Sequence, residues 1–153
     1  MRFRFVWIGE TKNEHIRGLL QDYMRRLTRF ASCKVIELRE GAGGSERNIL
    51  QDESKRIMAS LRPDAHVVLL DTQGEEWSSQ DLASKLEKWQ INGVREVTFI
   101  IGGHLGVAPE IKERANMRWC LSRLTLTHEL ARVLLVEQLY RAYTIVRGLP
   151  YHK

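Results

Sequence analysis

The sequence predicts an α/β domain: a mostly parallel sheet with helices on both faces. Two near-continuous apolar runs, "HVVLL" and "VTFII", suit central strands that are covered above and below. Segments of helical period lie between the strands, and Ser78, Pro109 and Gly148 sit where helices start and stop. Strands alternating with helices of this length make βαβ units.

Taken in order, residues 3–8 ("FRFVWI") read as the first strand. A helix follows over 13–30, where Ile16, Leu19, Leu20, Tyr23, Met24 and Leu27 recur at spacings of three and four. Residues 34–38 ("KVIEL") form a second strand, and the glycine-rich 39–46 is a loop. Residues 46–61 carry Ile49, Leu50, Ile57, Met58 and Leu61 on one helical side. Strands at 66–70 and 97–101 flank a helix that Ser78 caps, with Asp81 three residues in and Leu82, Leu86 and Trp89 on its buried face. Pro109 opens a short helix, as the first turn allows. Residues 121–126 ("LSRLTL") alternate apolar and polar and, taken alone, read as a buried strand. The last helix runs over 127–147 and ends at Gly148, with Pro150 beyond.

At 153 residues, with no repeat, linker or low-complexity segment, the chain is expected to be one domain over 1–153. Hydrophobic residues at 43% and charged residues at 28% describe an ordinary globular protein. No run approaches the ~20 apolar residues of a membrane span, and "MRFRFVWIGE" lacks the pattern of a signal peptide. Cys33 and Cys120 are the only cysteines, and no Cys/His cluster has metal-ligand spacing. No disulfide framework and no metal are therefore expected, and a cytoplasmic setting fits. The formal net charge of +5 hints at an anionic partner such as nucleic acid.

The informative stretch is "FIIGGHLGV", residues 99–107. Gly102, Gly103 and Gly106 follow a strand end, where open α/β sheets bind ligands. A phosphate-cradling Walker loop would need Lys and a hydroxyl that are absent. The dinucleotide fingerprint needs a different glycine spacing, which disfavours a nucleotide-dependent oxidoreductase. A tight structural turn, or bare backbone shaped for a nucleoside, remains. A second strand end, "LLDTQGEEW", adds Leu70 and Asp71.

Together with "LSRLTLTHELARVLLVEQLYRAYTI" and the terminal "PYHK", that stretch resembles the RlmH family over essentially the whole chain. These are small SPOUT-class enzymes that methylate N3 of a pseudouridine in 23S rRNA, acting on the assembled 70S ribosome. The resemblance implies a C-terminal deep trefoil knot, a homodimer, and S-adenosylmethionine as cofactor. It implies that Leu70, Gly102 and Gly103, with Leu121, Ser122, Arg123, Leu124, Thr125 and Leu126, line the cofactor pocket. The competing reading is a catalytically inactive ribosome- or RNA-binding protein of the same fold.

The catalytic candidates under this resemblance are Tyr151, His152, Arg132 and Arg141. His152 would accept the N3 proton or hold the base's carbonyl, and the arginines would bind RNA phosphate or stabilise developing charge. Arg132 and Arg141 are nine positions apart, which puts them on opposite faces of an ideal helix. Lys153 is a further cation for RNA. His128 reads as a surface residue of the first helical turn, and His104 as a possible pocket contact. The last helix is apolar over more than one stripe, from Leu130 to Val146, which suits burial in the core or against a second copy. Arg17, Arg25, Arg26 and Arg29 would extend an RNA-binding face.

Overall fold

The computed structural model describes residues 1–152, so Lys153 lies outside the described residues. Five strands and five helices follow in the order β1 (Arg2–Ile8), α1 (Glu14–Leu27), β2 (Ser32–Leu38), α2 (Glu46–Ser60), β3 (His66–Glu76), α3 (Ser79–Ile91), β4 (Glu96–Ile101), α4 (Pro109–Arg114), β5 (Met117–Cys120) and α5 (His128–Val146). All strand pairs are parallel, and the sheet order is β2-β1-β4-β3-β5. β4 is central and buried along its whole length, as its near-continuous apolar run requires.

Strand alternation splits the core into two layers. Phe3, Phe5 and Trp7 of β1, with Val97, Phe99 and Ile101 of β4, face α1, α3 and α5. Phe5 stacks on Phe99, its register partner, with ring centroids 5.8 Å apart. The alternate residues Val6, Ile8, Val67, Leu69 and Ile100 pack against Ile57 of α2 and Ile111 of α4.

Helix starts follow their capping chemistry. Asn13 accepts from the His15 and Ile16 N–H groups, Ser78 and Asp81 form a reciprocal capping box, and Thr127 accepts from the Leu130 N–H. Gly148 takes φ +65° just past α5, as a C-terminal glycine does.

The structure corrects the strand readings in three places. β3 continues six residues beyond Leu70, and its ladder with β5 breaks between Leu70 and Glu75, both of which pair with Trp119. Gly74 makes this possible: a Cβ there would sit 2.6 Å from the Arg118 carbonyl carbon. β5 is a four-residue edge strand too short for its pattern to announce it. Residues 121–126 form no strand; they are a loop in which Ser122 Oγ accepts from the Leu124 N–H and Leu124 is 75% exposed.

Candidate active site

A cavity of about 430 Å³ opens at the carboxyl ends of β3 and β4. One wall is the turn after β4. Gly106 has φ +79°, and its N–H donates to the Gly103 carbonyl at 2.9 Å. Gly102 is required by space, because a Cβ would lie 2.8 Å from both the Gly106 oxygen and Val107 Cγ1. The other walls are the strand end at Leu69 and Leu70, the indole of Trp119, and the loop after β5. That loop presents its leucines as well as the hydroxyl residues Ser122 and Thr125 to the cavity.

The first turns of α5 fasten this wall to the rest of the domain. His128 Nδ1 lies 2.9 Å from the Gly102 carbonyl oxygen, and Glu129 accepts from the Lys12 and Asn13 N–H groups. His128 is therefore a cavity residue, which corrects its reading as a surface position. Arg132 is 2% exposed; it donates to Thr11 Oγ1 at 2.9 Å and the Ile8 carbonyl at 2.7 Å. Its guanidinium also covers the Trp7 ring at 4.9 Å. Those contacts tie its two terminal nitrogens to the end of β1 and the loop after it, its buried Nε has no partner, and it does not line the cavity.

The far end of α5 carries a different cluster. Arg141 donates twice to Glu137 Oε1, at 3.0 and 2.6 Å, and lies over the Tyr151 ring at 4.8 Å. The Tyr151 hydroxyl lies 3.0 Å from Glu137 Oε1 and 3.3 Å from that of Tyr23. Burial, followed by these two hydrogen bonds, pushes the Tyr151 phenol well above its ordinary pKa. His152 follows, exposed. From His128 to Arg141 the helix rises about 20 Å. Within one chain, then, the structure does not bring Arg132, Arg141, Tyr151 or His152 to the cavity.

Residues 1–152 match the family described as "Predicted SPOUT methyltransferase". The chain belongs to the SPOUT methyltransferase family. It is 42% identical to the ribosomal RNA large subunit methyltransferase H of Gloeobacter violaceus, over 99% of both chains. It is 37% identical to the same-named protein of Leuconostoc mesenteroides and 36% to that of Streptococcus pneumoniae, over 100% of each chain. In fold it is similar to the crystal structure of tRNA (m1G37) methyltransferase from Aquifex aeolicus, with TM-score 0.50 and 14% identity. That alignment covers 99% of this chain and 72% of the other.

SPOUT methyltransferases use S-adenosylmethionine, and the cavity suits such a ligand. Its volume lies in the range of small-molecule sites. Its glycine wall offers bare main chain, and the buried Trp119 Nε1 has no protein partner. Of the expected cofactor residues, Leu70, Gly102, Gly103 and Leu121 line it, as do Ser122, Leu124, Thr125 and Leu126; Arg123 does not.

Two cavity residues, Trp119 and Lys112, had no distinguishing signal in the sequence, whereas Asp71 was marked by its place at a strand end. Asp71 is ion-paired with Arg118 at 2.6 Å and accepts from the Gln73 N–H. Burial alone would raise its pKa, but the Gln73 N–H and Arg118 outweigh burial and hold the carboxyl below its usual range. Among the described residues, no group of three His, Cys, Asp or Glu is placed to hold a metal ion.

Proposed function

We propose that the protein transfers a methyl group from S-adenosylmethionine to N3 of a pseudouridine in 23S rRNA, on the assembled 70S ribosome in the cytoplasm. The glycine-walled cavity between the β3 and β4 ends, in a chain of this family, carries the reading. When bound there, the cofactor supplies an electrophilic methyl group; the rest falls to the chain's own residues. Main-chain groups of residues 102–106 and the loop 121–126 hold the nucleoside, and no cation is needed because it carries no phosphate. The path from Cys120 through that loop to α5, beside the extended end of β3, supports the trefoil knot expected of the class.

The unit is a homodimer. A second copy resolves the separation of about 20 Å along α5 between the cavity and Arg141, by presenting its own Arg141, Tyr151 and His152 at the first copy's cavity. The exposed stripe of Leu130 and Leu134, continued by Glu137 and Arg141, supports pairing through this helix. In that composite site Tyr151, kept protonated, donates a hydrogen bond; the exposed His152 accepts the N3 proton; and Arg141 stabilises the imide anion. Arg132 acts at one remove, by holding the first turns of α5 against β1.

The test is mass spectrometry of 23S rRNA fragments from cells lacking the protein. The pseudouridine should be unmethylated in those cells, and its methylation should be restored when purified protein and cofactor are added to 70S ribosomes, and not when they are added to naked RNA. Calorimetry decides the rival reading: a passive RNA-binding protein would give no heat with the cofactor.

A further inference from the structure

Helix α2 lies on the sheet face opposite α5, yet two adjacent residues of it reach the cavity wall. Glu53 is 1% exposed, and its Oε1 is buried without a hydrogen-bond partner. Its carboxylate presses against Gly103, where a Cβ would come within 2.6 Å of Oε1 and 2.9 Å of Oε2. The next residue, Ser54, is also buried, and its Oγ accepts from the Ala108 N–H at 3.0 Å. Gly103 opens the turn and Ala108 is the cap residue of α4 just beyond it, so one step of α2 grips the wall at its turn and the chain where it leaves the wall.

We propose that Glu53 and Ser54 form a clamp that sets the shape of the methyl-donor pocket, with Glu53 a positioning residue for cofactor binding. This rests on the cavity being the S-adenosylmethionine site. A wall of bare backbone has no side chains of its own to hold it, so its position is set from behind. Binding geometry is sensitive to sub-ångström support of this kind. A carboxylate oxygen without a partner is costly to bury, and here the carboxylate packs onto Gly103, an α-carbon that a side chain would block. Burial pushes the Glu53 pKa up, opposed by the Gly41 N–H and by the charges of His104 and Arg56, while Glu40 adds to the rise.

The experiment is calorimetric titration with S-adenosylhomocysteine, together with KM and kcat for methylation of 70S ribosomes. Glu53→Ala should weaken binding by about tenfold or more and raise the cofactor KM to match, with kcat at saturation changed less than about threefold. Glu53→Gln keeps the shape and should stay within about threefold of the native protein. Should Glu53→Ala fail to fold, Glu53→Asp draws the carboxylate back by one methylene and should still weaken binding about fivefold. Native-like affinity in folded Glu53→Ala or Glu53→Asp overturns the clamp, as does an equal loss in Glu53→Gln and Glu53→Ala. Failure of the native protein to bind the ligand overturns the pocket assignment instead.

Discussion

The two ends of α5 are built in opposite ways. At its start, His128 meets the Gly102 carbonyl beside a formed cavity whose key surface is main chain. At its finish, Arg141, Glu137, Tyr23 and Tyr151 make a polar, aromatic cluster held together by side chains. The first end has a container and little acid–base chemistry, and the second has the chemistry and no container. A methyl transfer needs both within ångströms of each other. On the proposed reading, each end serves a different copy of the chain.

The sharpest way to break this comparison is Arg141→Ala. Turnover should fall by about 100-fold or more while affinity for S-adenosylhomocysteine stays native, because the residue lies far from its own chain's cavity. A parallel loss of affinity would place both ends in one site. Gly102→Val should give the mirror image, abolishing binding through the collision with Gly106 and Val107 while leaving the tail cluster intact. Mixing the two inactive variants should then restore about a quarter of native activity, since a mixed dimer has one site with both halves whole. No recovery would show that each chain works alone.

Smaller effects sharpen the same contrast. His152→Ala should cut kcat by about 10- to 100-fold with cofactor affinity unchanged; a native rate would remove it from the mechanism. His128→Ala should do the reverse, weakening cofactor binding by about three- to tenfold through loss of the Gly102 contact, with kcat nearly native. The smallest change is Tyr151→Phe, which removes the hydrogen bond to Glu137 and should lower the melting temperature by about 2–4 °C.

Much of the fold was legible because its signals are local. The near-continuous apolar runs marked β3 and β4, and Ser78 marked the start of α3, where the structure adds a reciprocal capping box with Asp81. β5 was not legible, since "MRWC" is four residues long and its partner strand is held by a register break that no periodicity reports. The same holds for residues 121–126, whose alternation resembles a strand's although both its apolar and its hydroxyl positions line a cavity. At the site, the glycines alone left a tight turn and a bare-backbone slot both open, and only the family resemblance chose between them. His128 was misread because a surface histidine and one that meets a carbonyl 26 residues away look alike in sequence. Glu53 gave no signal at all: a lone acid in a helix is ordinarily solvated, and only tertiary packing places it against Gly103.

The glycine turn also bears on inhibition. A compound that takes its grip from the carbonyl and amide groups of residues 102–106 holds atoms that every amino acid shares, so a point mutation leaves its contacts in place. The substitutions that would evict it, at Gly102 or Gly103, collide with the chain's own Gly106, Val107 and Glu53 and so deform the wall for any ligand. Resistance by altering that wall would thus come at the expense of the activity it was meant to save.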